Sequence, residues 1–112
     1  MARTHPLQCP FCDNYLARPV DIDFKSMELT GGICRCGAVY VLDRTGHNLG
    51  EIYLDALGFL CRGDFDKSLS LGTDDYDEEI LDYNFASNTT GRGSQGEKAG
   101  KLLFVKLKAV NN

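Results

Sequence analysis

Four cysteines in two close pairs constrain this chain more than any other feature of it. Cys9 and Cys12 enclose two residues, Cys34 and Cys36 enclose one, and 21 residues separate the pairs. Each pair lies on a segment short enough to be one tight turn, so each turn presents two sulfurs together. The intervening residues suffice for a strand, a turn and a second strand that bring the two turns face to face. Four thiolates within about 2.3 Å of a common point form the donor set of a tetrahedral metal site, with zinc the leading occupant. Iron in the same four sulfurs, as in a rubredoxin-like electron carrier, is the alternative metal.

Compartment decides what else paired cysteines can be. Residues 1–7 contain no apolar run of the kind that makes a secretory signal. No stretch approaches the roughly 20 apolar residues that span a bilayer. The chain is therefore expected in the cytoplasm and not at a membrane, where thiols stay reduced and a metal is favoured over a disulfide. Unliganded reduced thiols and a disulfide are the competing readings. Because the second pair encloses only one residue, one ligand angle is expected to be distorted, which leaves His5 and His47 as substitute ligands. Cys61 stands apart from the four and reads as a small buried apolar residue.

The two cysteine pairs, with Gly37 directly after the second, resemble the zinc-ribbon family, and the chain as a whole is similar to small bacterial zinc-ribbon proteins. The resemblance implies one structural zinc held by Cys9, Cys12, Cys34 and Cys36 in a small β-sheet, and it carries no activity with it. Two positions depart from the usual ribbon: the single residue between Cys34 and Cys36, and Asp13 where the first turn often has glycine. Cys9-Pro10-Phe11-Cys12 also looks like a dithiol redox motif. That chemistry needs a strand before the motif and a helix after it, and Asn14 to Pro19 is a poor helix.

Periodicity supplies the rest of the architecture. Val20, Ile22 and Phe24 alternate with Asp21, Asp23 and Lys25 as in a strand with one buried face, and Met27 to Thr30 and Ala38 to Leu42 are further β-prone runs. A helix is expected after Asn48, which with Glu51 can form a capping box, with Ile52, Ala56, Phe59 and Leu60 on its inner face and Gly63 as its left-handed stop. Asp64 can cap a second helix from Phe65 to Leu71, with Phe65, Leu69 and Ser68 inward. Gly63 to Leu69 resembles the turn of a tetratricopeptide unit, but the pattern is not repeated, and stacked repeats need about three units. Tyr76, Ile80 and Tyr83 predict a short acidic helix over 75–83. Residues 86–100 contain four glycines and read as a flexible linker. Leu103, Val105 and Leu107 then predict a strand that returns to the edge of the N-terminal sheet, with Lys106 and Lys108 outward.

The expected fold is therefore α+β: a three-stranded zinc-ribbon sheet in residues 1–46, a helical hairpin and short helix in 47–85, a flexible linker in 86–100 and a C-terminal strand in 101–112. All four are expected to form one cooperative domain.

Charge narrows the function. Residues 1–50 carry five acidic and five basic side chains, residues 51–90 ten and two, and residues 91–112 one and five. An acidic middle repels phosphate backbones, which weighs against nucleic acid as the main partner, although the basic tail can equally lie on the chain's own acidic segment. Nucleic-acid association of a ribbon face bearing Arg18, Lys25, Arg35 and Arg44 is the second reading, opposed by Asp21, Asp23, Glu28 and Asp43. The six carboxylates at Asp74, Asp75, Asp77, Glu78, Glu79 and Asp82 lack calcium-loop spacing and read as a solvated face. Glycines 91–100 miss the phosphate-loop spacing. The leading expectation is a protein-binding or adaptor module, not an enzyme, with a protein partner and one structural zinc.

Overall fold

Leu102, Leu103, Phe104 and Val105 are all fully buried. Four consecutive apolar residues buried on alternating sides require cover on both faces of their strand. The computed structural model describes residues 5–24, 27–43, 49–62, 64–72, 74–91 and 99–108 and provides that cover. Its strands are β1 (His5–Pro6), β2 (Val20–Phe24), β3 (Met27–Ile33), β4 (Val39–Asp43), β5 (Tyr76–Asn84), β6 (Thr89–Thr90) and β7 (Ala99–Leu107); its helices are α1 (Leu49–Leu60) and α2 (Phe65–Ser70). The strands form one sheet in the order β1-β6-β5-β7-β4-β3-β2, with every neighbouring pair antiparallel.

Each face of the sheet has its own core. On one face α1 lays Ala56, Leu57 and Phe59 over Val39, Val41, Leu103 and Val105. On the other, the segment carrying the first cysteine pair packs Leu7, Phe11 and Leu16 against Tyr40, Leu42, Tyr83, Leu102 and Phe104. Buried hydroxyls are satisfied: Tyr40 donates to the Ala17 carbonyl at 3.0 Å and Tyr83 to the Asn88 side chain at 2.6 Å. Arg18 straps the same segment to the β5–β6 turn by donating to the carbonyls of Phe85 and Ala86. Gly32 faces Tyr40 across β3 and β4, and a Cβ there would strike the tyrosine ring, so glycine is what lets that ring lie on the sheet.

This architecture corrects the expected three-stranded sheet followed by a helical hairpin, linker and returning strand. Strands β2 to β4 exist, but they are one side of a seven-stranded sheet. The predicted helix over 75–83 is strand β5. Six carboxylates within about two and a half helical turns would repel one another, whereas in the ladder Asp82 lies opposite Lys101 and Asp77 opposite Lys106. The acidic segment and the basic tail are thus neighbours in one sheet. β7 does not return to an edge: it pairs with β4 on one side and β5 on the other and is the middle strand. The expected linker begins as a turn and β6, and Ala99 and Gly100 already belong to β7; residues 92–98 lie outside the described residues.

The helices are shorter than a repeat unit requires. α1 packs on β4 and β7, and α2 has six residues, capped by Asp64, whose carboxylate accepts from the Lys67 amide. Among the described side chains of α2, Ser68 is buried, while Leu69 is 74% exposed, contrary to its expected burial; the Phe65 side chain lies outside the described residues. The left-handed residue after α1 is Arg62, at φ 58°; Asn48 and Gly63, expected as cap and stop, lie outside the described residues. Among the described residues no helix is long and apolar enough to cross a membrane.

Candidate metal centre

Both cysteine turns are built by local backbone hydrogen bonds. In the first, the Asp13 amide donates to the Cys9 carbonyl and the Cys9 amide to the Asn14 carbonyl, each at 2.9 Å. Asp13 takes the left-handed conformation at φ 63°, so it fills the role glycine has in most such turns. In the second turn the Gly37 amide donates to the Cys34 carbonyl at 2.9 Å and the Cys34 amide to the Ala38 carbonyl at 2.8 Å. Gly37 sits at φ 97°, where a side chain is strained even though the space is open.

The fold brings the turns together. The second lies between β3 and β4; the first belongs to a segment closed by the Leu16 amide bonding to the Leu7 carbonyl and tied to the β5–β6 turn by the Leu7 amide bonding to the Asn88 carbonyl. Cys9, Cys34 and Ala38 form a small buried cluster, with Phe11, Cys12, Leu16 and Cys36 packed against it. The four sulfurs lie within 4.8 Å of one another. Cys12 and Cys34 are 3.4 Å apart, and Cys9 and Cys36 are 3.7 Å apart. Zinc–sulfur bonds of about 2.3 Å arranged as a tetrahedron put sulfurs about 3.8 Å apart. A disulfide would need about 2.05 Å, and all five described cysteines are free.

Electrostatics around the sulfurs favours a cation. Burial pushes the Cys9 thiol up to about 12 against the pull of the Phe11 and Cys12 backbone amides. Burial raises Cys34 as well, opposed by the Cys36 amide. Cys12 moves the other way, to about 7, chiefly because the Asn14 backbone amide donates toward its sulfur; the Asn14 side-chain amide adds a second bond at 3.2 Å. Amides are therefore aimed at sulfur, while burial disfavours the thiolate form of Cys9 and Cys34. A divalent ion supplies positive charge and deprotonates coordinating thiols outright. The donor set fits such an ion, with zinc compatible.

The structure thus brings together Cys9, Cys12, Cys34 and Cys36. His5 is exposed on β1 and is not among the clustered groups, and His47 lies outside the described residues. Cys61 is buried one residue beyond α1 and does not belong to the quartet. Of the cations proposed for a nucleic-acid face, Arg18 is engaged with backbone carbonyls, Arg35 is exposed within the second turn, and Lys25 and Arg44 lie outside the described residues. Sequence reasoning missed Asn14 as a donor to sulfur; a carboxamide two residues after the second cysteine of a turn was the available signal. No family model, curated protein or solved structure matches the chain.

Proposed function

We propose that this chain is a small zinc-binding protein in which the metal is structural and the biological work is done by the surface, as a protein-binding or adaptor module. The observation that carries the reading is the all-sulfur quartet with pair separations of 3.4 and 3.7 Å. Four thiolates complete a tetrahedron, so a zinc bound there has no open position for substrate or water, unlike a catalytic zinc with three protein ligands. Its role would be to pin the first cysteine turn to the sheet. Support for protein binding comes from Val20, 58% exposed, and Ile33, 64% exposed. Val20 pairs with Gly31, two residues from Ile33, so the two apolar side chains are diagonal neighbours on one face near the β2 edge.

Elemental analysis of protein purified without added metal tests the first half: about one zinc per chain is expected, and folded protein with far less would end the zinc reading. Visible absorbance from ferric thiolate would replace it with iron and electron transfer. The adaptor half is tested by native purification from the host, comparing the wild type with Val20→Asp/Ile33→Asp. A stoichiometric protein partner lost in the double variant is expected. Recovery of nucleic acid or ribosomes instead would favour the nucleic-acid reading.

A further inference from the structure

Between the second cysteine turn and the end of α1 lies a cleft of about 330 Å³ whose lining includes Cys36, Leu60, Arg62, Lys67, Lys106 and Leu107. Its three cations come from separate parts of the chain: the turn after α1, helix α2 and the end of β7. The chain has 16 acidic and 12 basic side chains, yet no carboxylate is among the described residues that line this cleft. Two nearby acids have contacts of their own. Asp64 caps α2 through the Lys67 backbone amide, and Asp77, which stands opposite Lys106, lies 3.9 Å from the Lys108 ammonium. Among the described lysines and arginines, Arg18 is bound to carbonyls, Lys101 to Asp82 and Lys108 to Asp77. Of the four whose side chains make no hydrogen bond or ion pair among the described residues, Arg35, Arg62, Lys67 and Lys106, three line this one cleft.

We propose that the cleft binds a small phosphate-bearing ligand, recognised by Arg62, Lys67 and Lys106. Three cations that line one cleft with no carboxylate among its described lining repel one another, and an anion with several acceptor oxygens relieves that repulsion. Arginine can grip a phosphate through two parallel hydrogen bonds, and lysine adds a compact charge. The volume lies at the lower end of the roughly 300 to 1,000 Å³ typical of small-molecule pockets, enough for a phosphate and a sugar-sized group. Leu60 and Leu107 offer apolar wall to the rest of the ligand. The inference does not depend on which metal the sulfurs hold. It competes with one other use of the same charges: zinc with four thiolates has a formal charge of −2, which the cations would also neutralise.

The full chain as purified is titrated with inorganic phosphate, ribose 5-phosphate and a short single-stranded oligonucleotide at constant ionic strength, following amide chemical shifts. Saturable one-site binding is expected, with shifts centred on Arg62, Lys67 and Lys106 and with the sugar phosphate tighter than free phosphate. Lys67→Gln and Arg62→Asn should each weaken it about tenfold, the loss of one charge-assisted contact. Asparagine tolerates the left-handed backbone at position 62, so that variant should fold. Lys108→Gln should change affinity by less than about twofold. The proposal is overturned by absence of saturable binding, by binding indifferent to the two variants, or by an oligonucleotide that binds these residues far more tightly than the sugar phosphate. It is equally overturned if the variants speed zinc release while leaving phosphate affinity unchanged.

Discussion

Asp82 stands directly opposite Lys101 across the ladder joining β5 to β7, and its carboxylate accepts a hydrogen bond from the lysine ammonium. Both side chains are over one third exposed, so solvent screens the pair. A double-mutant cycle on Asp82→Ala and Lys101→Ala, read by urea denaturation, should give a coupling of about 0.2 to 1 kcal/mol that shrinks as salt is added. Asp82→Lys should cost more than Asp82→Ala, because it places like charges face to face.

The middle strand should dominate stability. Phe104 is fully buried and stacks near Tyr40, with ring centroids 5.6 Å apart. Phe104→Ala should cost about 3 to 5 kcal/mol, a large share of the roughly 5 to 15 kcal/mol that holds a domain together. Val20→Ala, at an exposed site, should stay within about 0.5 kcal/mol. Chemical denaturation separates the two, and near-equal midpoints would contradict the central placement of β7.

Metal removal should act locally first. A strong chelator is expected to accelerate hydrogen exchange at the amides of Cys9, Asp13 and Leu16, whose partners lie within the first cysteine turn and its flanks, while Leu103 and Val105 remain the slower set. Cys9→Ser should lower the melting temperature more than Cys12→Ser, because Cys9 is fully buried and Cys12 partly exposed. Cys61→Ser should leave metal content unchanged.

Gly37→Ala isolates backbone strain from crowding. A Cβ at that position meets nothing within 4 Å, but φ is 97°. The substitution should cost about 1 to 3 kcal/mol with no steric clash to blame, and it should loosen the turn that holds Cys34 and Cys36. A crystal structure or melting curve indistinguishable from wild type would refute this.

Asp55 provides a pH signature. Its carboxyl is raised by burial first and by Glu51, one helical turn earlier, second. A carboxyl whose folded pKa exceeds its unfolded one destabilises the fold while ionised, and the penalty disappears as pH falls through the folded value. Asp55→Asn should therefore stabilise at pH 7 by a few tenths of a kcal/mol, about the size of an i,i+4 repulsion, and the gain should vanish in acid below the unfolded carboxylate range. Melting curves of both proteins across that range check the sign.

The quartet was legible because cysteine spacing is local chemistry: each turn declares itself within four residues, and Gly37 marks the second. Helix α1 was legible for a similar reason, since Ile52, Ala56, Phe59 and Leu60 all reach one core. Strand β5 was not. Tyr76 and Ile80 are four apart, an offset that is about one helical turn and also two pleats of a strand, so those positions fit both periods. Tyr83 breaks the tie only in three dimensions, because it joins the core on the opposite face from Tyr76. The carboxylates between them become intelligible once Lys101 and Lys106 lie alongside, and that pairing spans more than the reach of any sequence window. β7 was misplaced to an edge because Lys106 and Lys108 suggested one wet face, whereas Leu102 to Val105 ask for two dry ones.

Placing Ala99–Leu107 in the middle of the sheet sets an order of assembly. β4 and β5 are both made on the ribosome before the strand that joins them, so each carries a bare row of amides and carbonyls until residues 99–107 emerge. During that interval the nascent chain is a pair of half-sheets with sticky inner margins, open to pairing with any other extended segment. Closure is then a single late insertion that stitches both halves at once, and a ribosome stalled before it would leave a chain whose acidic β5 offers little more than charge repulsion against aggregation.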